Sequence, residues 1–186
     1  MPGVLEGGAI RLCRRCLTDV PPFMDALRAS WPELRAWFPW AQRDLDEAEQ
    51  TQRALDADKA FSEGSDFEFV LVEAESEAVV GSLRLNPSCS PNTAEIGYWV
   101  RSDRTNCGYA TMAAHAVTRA AFEHLKSIER VVIQMDVANG ASAAVARKSG
   151  FRLDREDELA IEAPARTGRG YVWVMTRDVW LAMRQD

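Results

Sequence analysis

The stretch Ala94–Glu123, AEIGYWVRSDRTNCGYATMAAHAVTRAAFE, constrains the fold of this chain more than any other. Glu95–Val100 reads as an apolar strand. A short polar turn follows, then a Gly108-Tyr109-Ala110 corner and a long helix opening at Thr111. Small residues at such a corner let a ligand approach the backbone closely. The helix start adds unpaired N–H groups and the positive end of a dipole. Arg101 and Arg104 stand nearby to add charge. Together these features make an anion site suited to a phosphate. The segment Thr105-Asn106-Cys107-Gly108-Tyr109-Ala110 carries neither G-x-G-x-x-G nor G-K-[ST], which weighs against NAD and ATP.

With 186 residues the chain is expected to be a single domain, 1–186, with room for a sizeable core. Hydrophobic residues make up 47% and charged residues 27%, as in a soluble globular protein. The net charge of -6 argues against nucleic acid as a partner, so an anionic ligand would be held by local groups. No apolar run approaches the roughly 20 residues of a membrane span. The start, MPGVLEGGAIRLCRR, lacks the pattern of a signal peptide, which favours the cytoplasm. Of the four cysteines, Cys13 and Cys16 form a C-x-x-C. They lie in a segment that alternates like a strand, where residues three apart point to opposite faces. No second pair follows, so Cys13 and Cys16 read as reduced structural thiols, and no metal is expected.

Ile10–Leu17 reads as a strand, and Thr18 or Asp19 can cap a helix running to about Ser30, with Pro21 in its first turn. The aromatic segment Trp31–Trp40 then reads as a proline-stiffened loop. Leu45–Phe61 reads as a helix. Phe67–Glu73 and Val79–Leu85 form a hairpin, and Asn86–Thr93, with two prolines, a loop. Arg130–Asp136 is an apolar strand and Asn139–Ser149 a helix stopped by Gly150. Phe151–Ile161 and Tyr171–Thr176 are the last strands, joined by a mobile segment, Ala163–Gly170, and a terminal helix begins near Asp178. The order predicts an α/β (α+β) fold, a mixed sheet with helices on both faces.

Ala94–Ala110, Asp136-Val137-Ala138-Asn139-Gly140-Ala141-Ser142 and Lys148-Ser149-Gly150-Phe151 resemble the GNAT superfamily of acyl-CoA N-acetyltransferases. The likeness is to its ribosomal-protein N-terminal acetyltransferase branch (RimJ/RimL-like), and it extends to Trp31-Pro32-Glu33-Leu34, Pro39-Trp40 and Trp173…Trp180. It implies a mostly antiparallel sheet of about six to seven strands, splayed between its fourth and fifth. It implies acetyl-CoA as co-substrate, held by Arg104, Thr105, Asn106, Cys107, Gly108, Tyr109, Ala110 and Thr111 at the phosphates. Ile96, Tyr98, Trp99 and Val100 would meet the pantetheine arm, with Asn139 and Ser142 from the later helix. Thr105 stands where the family usually has Gln or Arg, and Ala146 where many members have a catalytic Tyr.

The resemblance further implies transfer of the acetyl group to a primary amine, on a protein N-terminus or a small molecule, by direct attack. A thiolate leaves readily and needs only a weak proton donor. Ser142 is the candidate, directly or through a water, and Glu95 is the candidate base for the amine. Trp31, Trp37, Trp40 and Tyr171 are candidates for the acceptor pocket, with Arg166 and Arg169 near its entrance. His115 and His124 read as structural. Branch members often pair, so a homodimer is an expectation. Two alternatives stand beside this reading: an acyl-CoA-binding module that has lost turnover, and an unrelated nucleotide-binding domain.

Overall fold

The alternation of Ile10-Arg11-Leu12-Cys13 does produce a strand, hydrogen-bonded on both sides. A computed structural model of the chain describes residues 1–184. Among these, eight strands form one sheet: β1 (Val4–Glu6), β2 (Ile10–Arg14), β3 (Phe67–Glu73), β4 (Val79–Ser90), β5 (Thr93–Val100), β6 (Arg130–Asp136), β7 (Arg152–Glu158) and β8 (Arg169–Thr176). The helices are α1 (Val20–Trp37), α2 (Glu47–Glu63), α3 (Tyr109–His124), α4 (Gly140–Lys148) and α5 (Arg177–Met183). The strand order is β1-β2-β3-β4-β5-β6-β8-β7. Neighbours run antiparallel except β5 and β6, which run parallel.

The β5–β6 pair holds together over three rungs only: Thr93↔Arg130, Ala94↔Val131 and Glu95↔Val132. Beyond them Ile96–Val100 stays paired with β4, and Ile133–Asp136 with β8, but not with each other. This is the splay expected between the fourth and fifth strands. The count rises to eight because Val4–Glu6 adds an edge strand against β2. An open row of backbone donors and acceptors inside a sheet is a template for an extended guest.

Each face of the sheet is covered. Ile96, Ile133, Leu71 and Leu83 pack with Val117 and Ala113 of α3. On the other face Val70 and Trp99 pack with Phe23, Leu27 and Leu34 of α1 and Ala54 of α2. Phe23 meets Trp99 edge-on at a centroid distance of 5.5 Å.

Local signals placed several boundaries. Asp46 caps α2 by accepting from the Ala48 amide at 2.8 Å, and Gly64 ends it at φ 72°. Asn139 caps α4 through the Ser142 amide at 3.1 Å. The strands expected over Ile10–Leu17 and Phe151–Ile161 are shorter, ending at Arg14 and Glu158, and two expectations differ more. First, Trp31–Trp37 is not a loop: α1 continues through Pro32 to Trp37, and Pro39–Ala41 adds a 3-10 turn. A proline inside a helix forfeits one hydrogen bond. Here buried Leu34 holds the helix to the core, and Ser30 ties the turn by donating to the Ala26 carbonyl at 3.0 Å. Second, β4 runs on to Ser90 rather than ending at Leu85, with its register slipping between Asn86 and Ser90. The irregular rungs accommodate Pro87, which cannot donate to a ladder.

Candidate active site

The corner ahead of α3 is built from backbone. Asn106 adopts φ 63° and Gly108 φ 81°. Gly108 occupies the N-cap position of α3, and no side chain caps the helix. The first amides of α3 are therefore left for another acceptor. This start opens at one end of a cavity of about 850 Å³. The cavity follows the gap between Ile96–Val100 and Ile133–Asp136, then reaches Asn139 and Ser142 of α4 and the end of α1.

Most residues expected to hold the acyl donor meet there: Ile96, Tyr98, Trp99, Val100, Arg104, Thr105, Asn106, Gly108, Tyr109, Ala110, Thr111, Asn139 and Ser142. Cys107 belongs to the same loop, but its exposed thiol turns back to the Thr105 carbonyl at 3.6 Å. Trp37 and Arg166 line the cavity as well. His115 lies at its edge on the exposed face of α3. Ala146 has no exposed surface, so α4 presents Ser142, and not position 146, to the cavity.

A second cavity, of about 430 Å³, lies on the α1/α2 face of the sheet. Phe38, Gly97, Tyr98 and Trp99 line both cavities. Trp40 lines the second, and Trp31 stacks behind Trp40 at 6.0 Å without lining either. Tyr171 sits on β8 opposite Met135, packed against the α3-side core, and lines neither cavity. The second cavity's wall is charged but balanced: Asp56, Asp66 and Glu68 against Arg15, Arg53 and Arg84. Arg15 is 3% exposed, bound to Glu68 at 2.6 Å and to Gln50 at 3.0 Å.

Glu95 occupies the last shared rung before the strands part, paired with Asn86 and Val132. Strand alternation puts it on the same face as Gly97 and Trp99, yet it lines neither cavity. Burial pushes its carboxyl above the ordinary range, and the Arg84 charge pulls part of the way back. Arg104 is not free beside the corner: its Nε lies 3.7 Å from Glu73 and its Nη1 3.4 Å from Asp103. Glu73 also accepts from the Tyr109 hydroxyl, which ties the start of α3 to the end of β3. Hydrogen bonds from Ser76 and Tyr109 hold the Glu73 carboxyl below its usual value. The same carboxylate pushes the Tyr109 phenol up to about 12.

Sequence reading gave Asp136 no role, although it opens the segment Asp136-Val137-Ala138-Asn139. Its Oδ1 accepts from the Ala138 amide at 2.9 Å and its Oδ2 from the Thr167 amide at 2.7 Å. The Thr167 hydroxyl adds a third bond at 3.0 Å. Through Thr167 it fixes the segment expected to be mobile. That segment is also held where Ala165 N–H donates to the Ala36 carbonyl at 2.9 Å and Arg166 Nε to Trp37 at 3.1 Å. Burial raises the Asp136 carboxyl, but the donors from Ala138, Thr167 and Gly168 outweigh it and leave it below the ordinary aspartate value.

Asp136→Asn is expected to destabilise the fold by about 2 kcal/mol near neutral pH, because an amide faces a donor where an oxygen stood. A depressed carboxyl stabilises fully above its unfolded value and progressively less as pH falls through the folded one. Urea midpoints of the two proteins should therefore differ at pH 7 and converge towards pH 3. An equal gap at both would show that the carboxylate charge is not what holds the segment.

A sheet opened beside an uncapped helix start has the shape and the donors that suit an elongated, phosphate-ended ligand. Residues 10–152 match the acetyltransferase (GNAT) domain family, and the chain belongs to that family of acetyltransferases. No curated protein sequence matches it. Solved structures do, at low identity. One is RimL, the ribosomal L7/L12 alpha-N-protein acetyltransferase in complex with coenzyme A: TM-score 0.85, 20% identity, 95% of this chain and 99% of that one covered. Another is the microcin C7 self-immunity acetyltransferase MccE in complex with acetyl-CoA and AMP: TM-score 0.84, 16% identity, 95% and 97% covered. A third is the ribosomal-protein-S5-alanine acetyltransferase from Vibrio fischeri: TM-score 0.83, 16% identity, 95% and 98% covered. Among the described residues no helix is long and apolar enough to cross a membrane, and no group of three or more His, Cys, Asp or Glu residues could hold a metal ion.

Proposed function

We propose that this chain moves an acetyl group from acetyl-CoA to a primary amine, on a protein N-terminus or a small molecule, in one ternary complex. The observation that carries this reading is the continuity of one cavity from the uncapped start of α3, along the open edge of β5, to the hydroxyl of Ser142. The chain's departure at Thr105 does not remove the cradle, since backbone amides need no particular side chain.

Acetyl-CoA supplies the acetyl group as a thioester. The amides at Gly108–Thr111, with Arg104, would hold its phosphates, and the open edge of Ile96–Val100 would bond its pantetheine amides. Asn139, beside capping α4, borders the same arm. Ser142 Oγ donates a hydrogen bond to the departing sulfur. The amine enters from the α1/α2 face, where the second cavity meets the first at Gly97–Trp99, with Trp37 lining the first and Trp40 the second. Free amines are mostly protonated at neutral pH. Glu95, which lines neither cavity, would take that proton through a water, and burial raises its carboxyl and so makes it a stronger base. Positioning in a shared cavity supplies much of the rate. The relatives named for ribosomal-protein N-termini make a peptide amine the first acceptor to test.

The deciding experiment is a thermal-shift titration with acetyl-CoA, coenzyme A, ATP and NAD. A ligand at 100 times its Kd stabilises by about 2.7 kcal/mol. For a chain of this size that corresponds to a rise of about 5–10 °C. A rise with acetyl-CoA and coenzyme A, but not with NAD or ATP, is expected. It should be followed by acetylation of peptides beginning with serine or alanine, or of small primary amines. Binding without transfer to any amine would favour the coenzyme-binding module, and no rise at millimolar acetyl-CoA would defeat both.

A further inference from the structure

Tyr98 stands on β5 and Ser142 in the first turn of α4. Their hydroxyl oxygens lie 2.8 Å apart, where either can donate, and the Tyr98 hydroxyl also donates more weakly to the Ser142 carbonyl at 3.3 Å. Both residues line the large cavity, so the pair bridges its walls where β5 and β6 have parted. Of the chain's three tyrosines, Tyr109 is committed to Glu73 and Tyr171 lines neither cavity.

A serine hydroxyl carries one proton and rotates to suit its partners. Left alone in a helix, it turns readily to a backbone carbonyl one turn back. A phenol donating into its oxygen changes that balance, because the serine's own hydrogen is then free for another acceptor. Resting on the reading of Ser142 as donor to the leaving sulfur, we propose that Tyr98 is a positioning residue whose phenol donates to Ser142 Oγ and turns the serine hydrogen towards that sulfur. Burial pushes the Tyr98 phenol up to about 12, so it keeps its proton throughout the working range. No proton needs to leave either hydroxyl. As the carbon–sulfur bond breaks, its electron pair goes to sulfur, and the sulfur takes its proton afterwards from solvent. A thiol, with an ordinary pKa of about 8.5, is a stronger acid than a phenol held at that value. The two linked hydrogen bonds polarise one another and so spread the developing charge.

Tyr98→Phe keeps the ring and removes only the hydroxyl. With acetyl-CoA and peptides beginning with serine or alanine, or small primary amines, kcat is expected to fall about tenfold, the equivalent of one good hydrogen bond. KM for acetyl-CoA should stay within about twofold, as for an interaction that strengthens only as the bond breaks. In a Ser142→Ala background the same change should alter kcat by less than about twofold, because the partner is already gone. A second readout needs no turnover: in the ligand-free protein, the carbon-13-labelled ring carbon bearing the Tyr98 oxygen should shift on Ser142→Ala. The proposal is overturned by an unchanged kcat in Tyr98→Phe, by losses that multiply in the double variant, or by an unmoved Tyr98 resonance. Wild-type protein that neither binds acetyl-CoA nor acetylates any amine overturns the enzyme reading and this role together. Wild-type turnover with an indifferent Tyr98→Phe removes only the role of Tyr98.

Discussion

Ala110→Glu is expected to weaken acetyl-CoA binding about 100-fold or more while leaving the free protein at least as stable as before. Ala110 is the second residue of α3 and lines the cavity at the uncapped helix start. A glutamate there suits the helix dipole and favours the fold by about 0.3–1 kcal/mol. The same carboxylate would sit where the proposed site holds the phosphates, offer the amides a competing acceptor, and fill space that alanine leaves open. A loss of 100-fold corresponds to about 2.8 kcal/mol. Calorimetric titration with acetyl-CoA and a melting curve of the free protein separate the two effects. A variant that binds acetyl-CoA as well as the parent would remove this corner from the proposed site.

Gly81→Ala is expected to destabilise the protein by about 3–4 kcal/mol, beyond the usual penalty for overpacking. A Cβ at Gly81 would come 2.3 Å from the Trp99 carbonyl oxygen and 3.1 Å from the Val100 Cα. Both neighbours are backbone of β5, so no side chain can swing away. Gly81 also lies beside the irregular register between β3 and β4, and it pairs with Val100 at the last rung of β4 and β5. Just beyond, Arg101 N–H donates to the Val80 carbonyl at 2.8 Å and aims the chain into the phosphate corner. The variant should lower the urea midpoint with an unchanged m-value. A shift worth less than about 1 kcal/mol would mean the strands separate easily at this point.

What the sequence disclosed was carried by local chemistry. Asn139 and Gly150 mark helix ends through a cap and a turn that involve a few neighbouring residues. Glu95–Val100 and the Gly108 corner were visible for the same reason, and the resemblance placed the donor site along them. Features made by distant partners were hidden. Nothing near Pro32 says that Leu34 and Ser30 will hold a helix through it, because the Ser30 hydroxyl accepts from Ser102, 72 residues on. Val4–Glu6 is too short to show an alternation, and it becomes a strand only against β2. The Glu73 carboxylate reaches the corner from 36 residues before Tyr109. Tyr98 was legible as part of the strand Glu95–Val100, but its hydroxyl meets Ser142 only when α4 folds back across it. Asp136 was overlooked because its partner Thr167 lies in a segment whose composition suggested mobility.

The three rungs from Thr93↔Arg130 to Glu95↔Val132 are the sole ladder, among the described residues, joining β1–β5 to β6–β8. The sheet is thus two leaves bound along a short spine, with α3 and α1 as the cover. An acyl donor lying between the leaves would be a structural member of the fold while it stays, and its departure as free coenzyme would return the protein to the unfinished sheet.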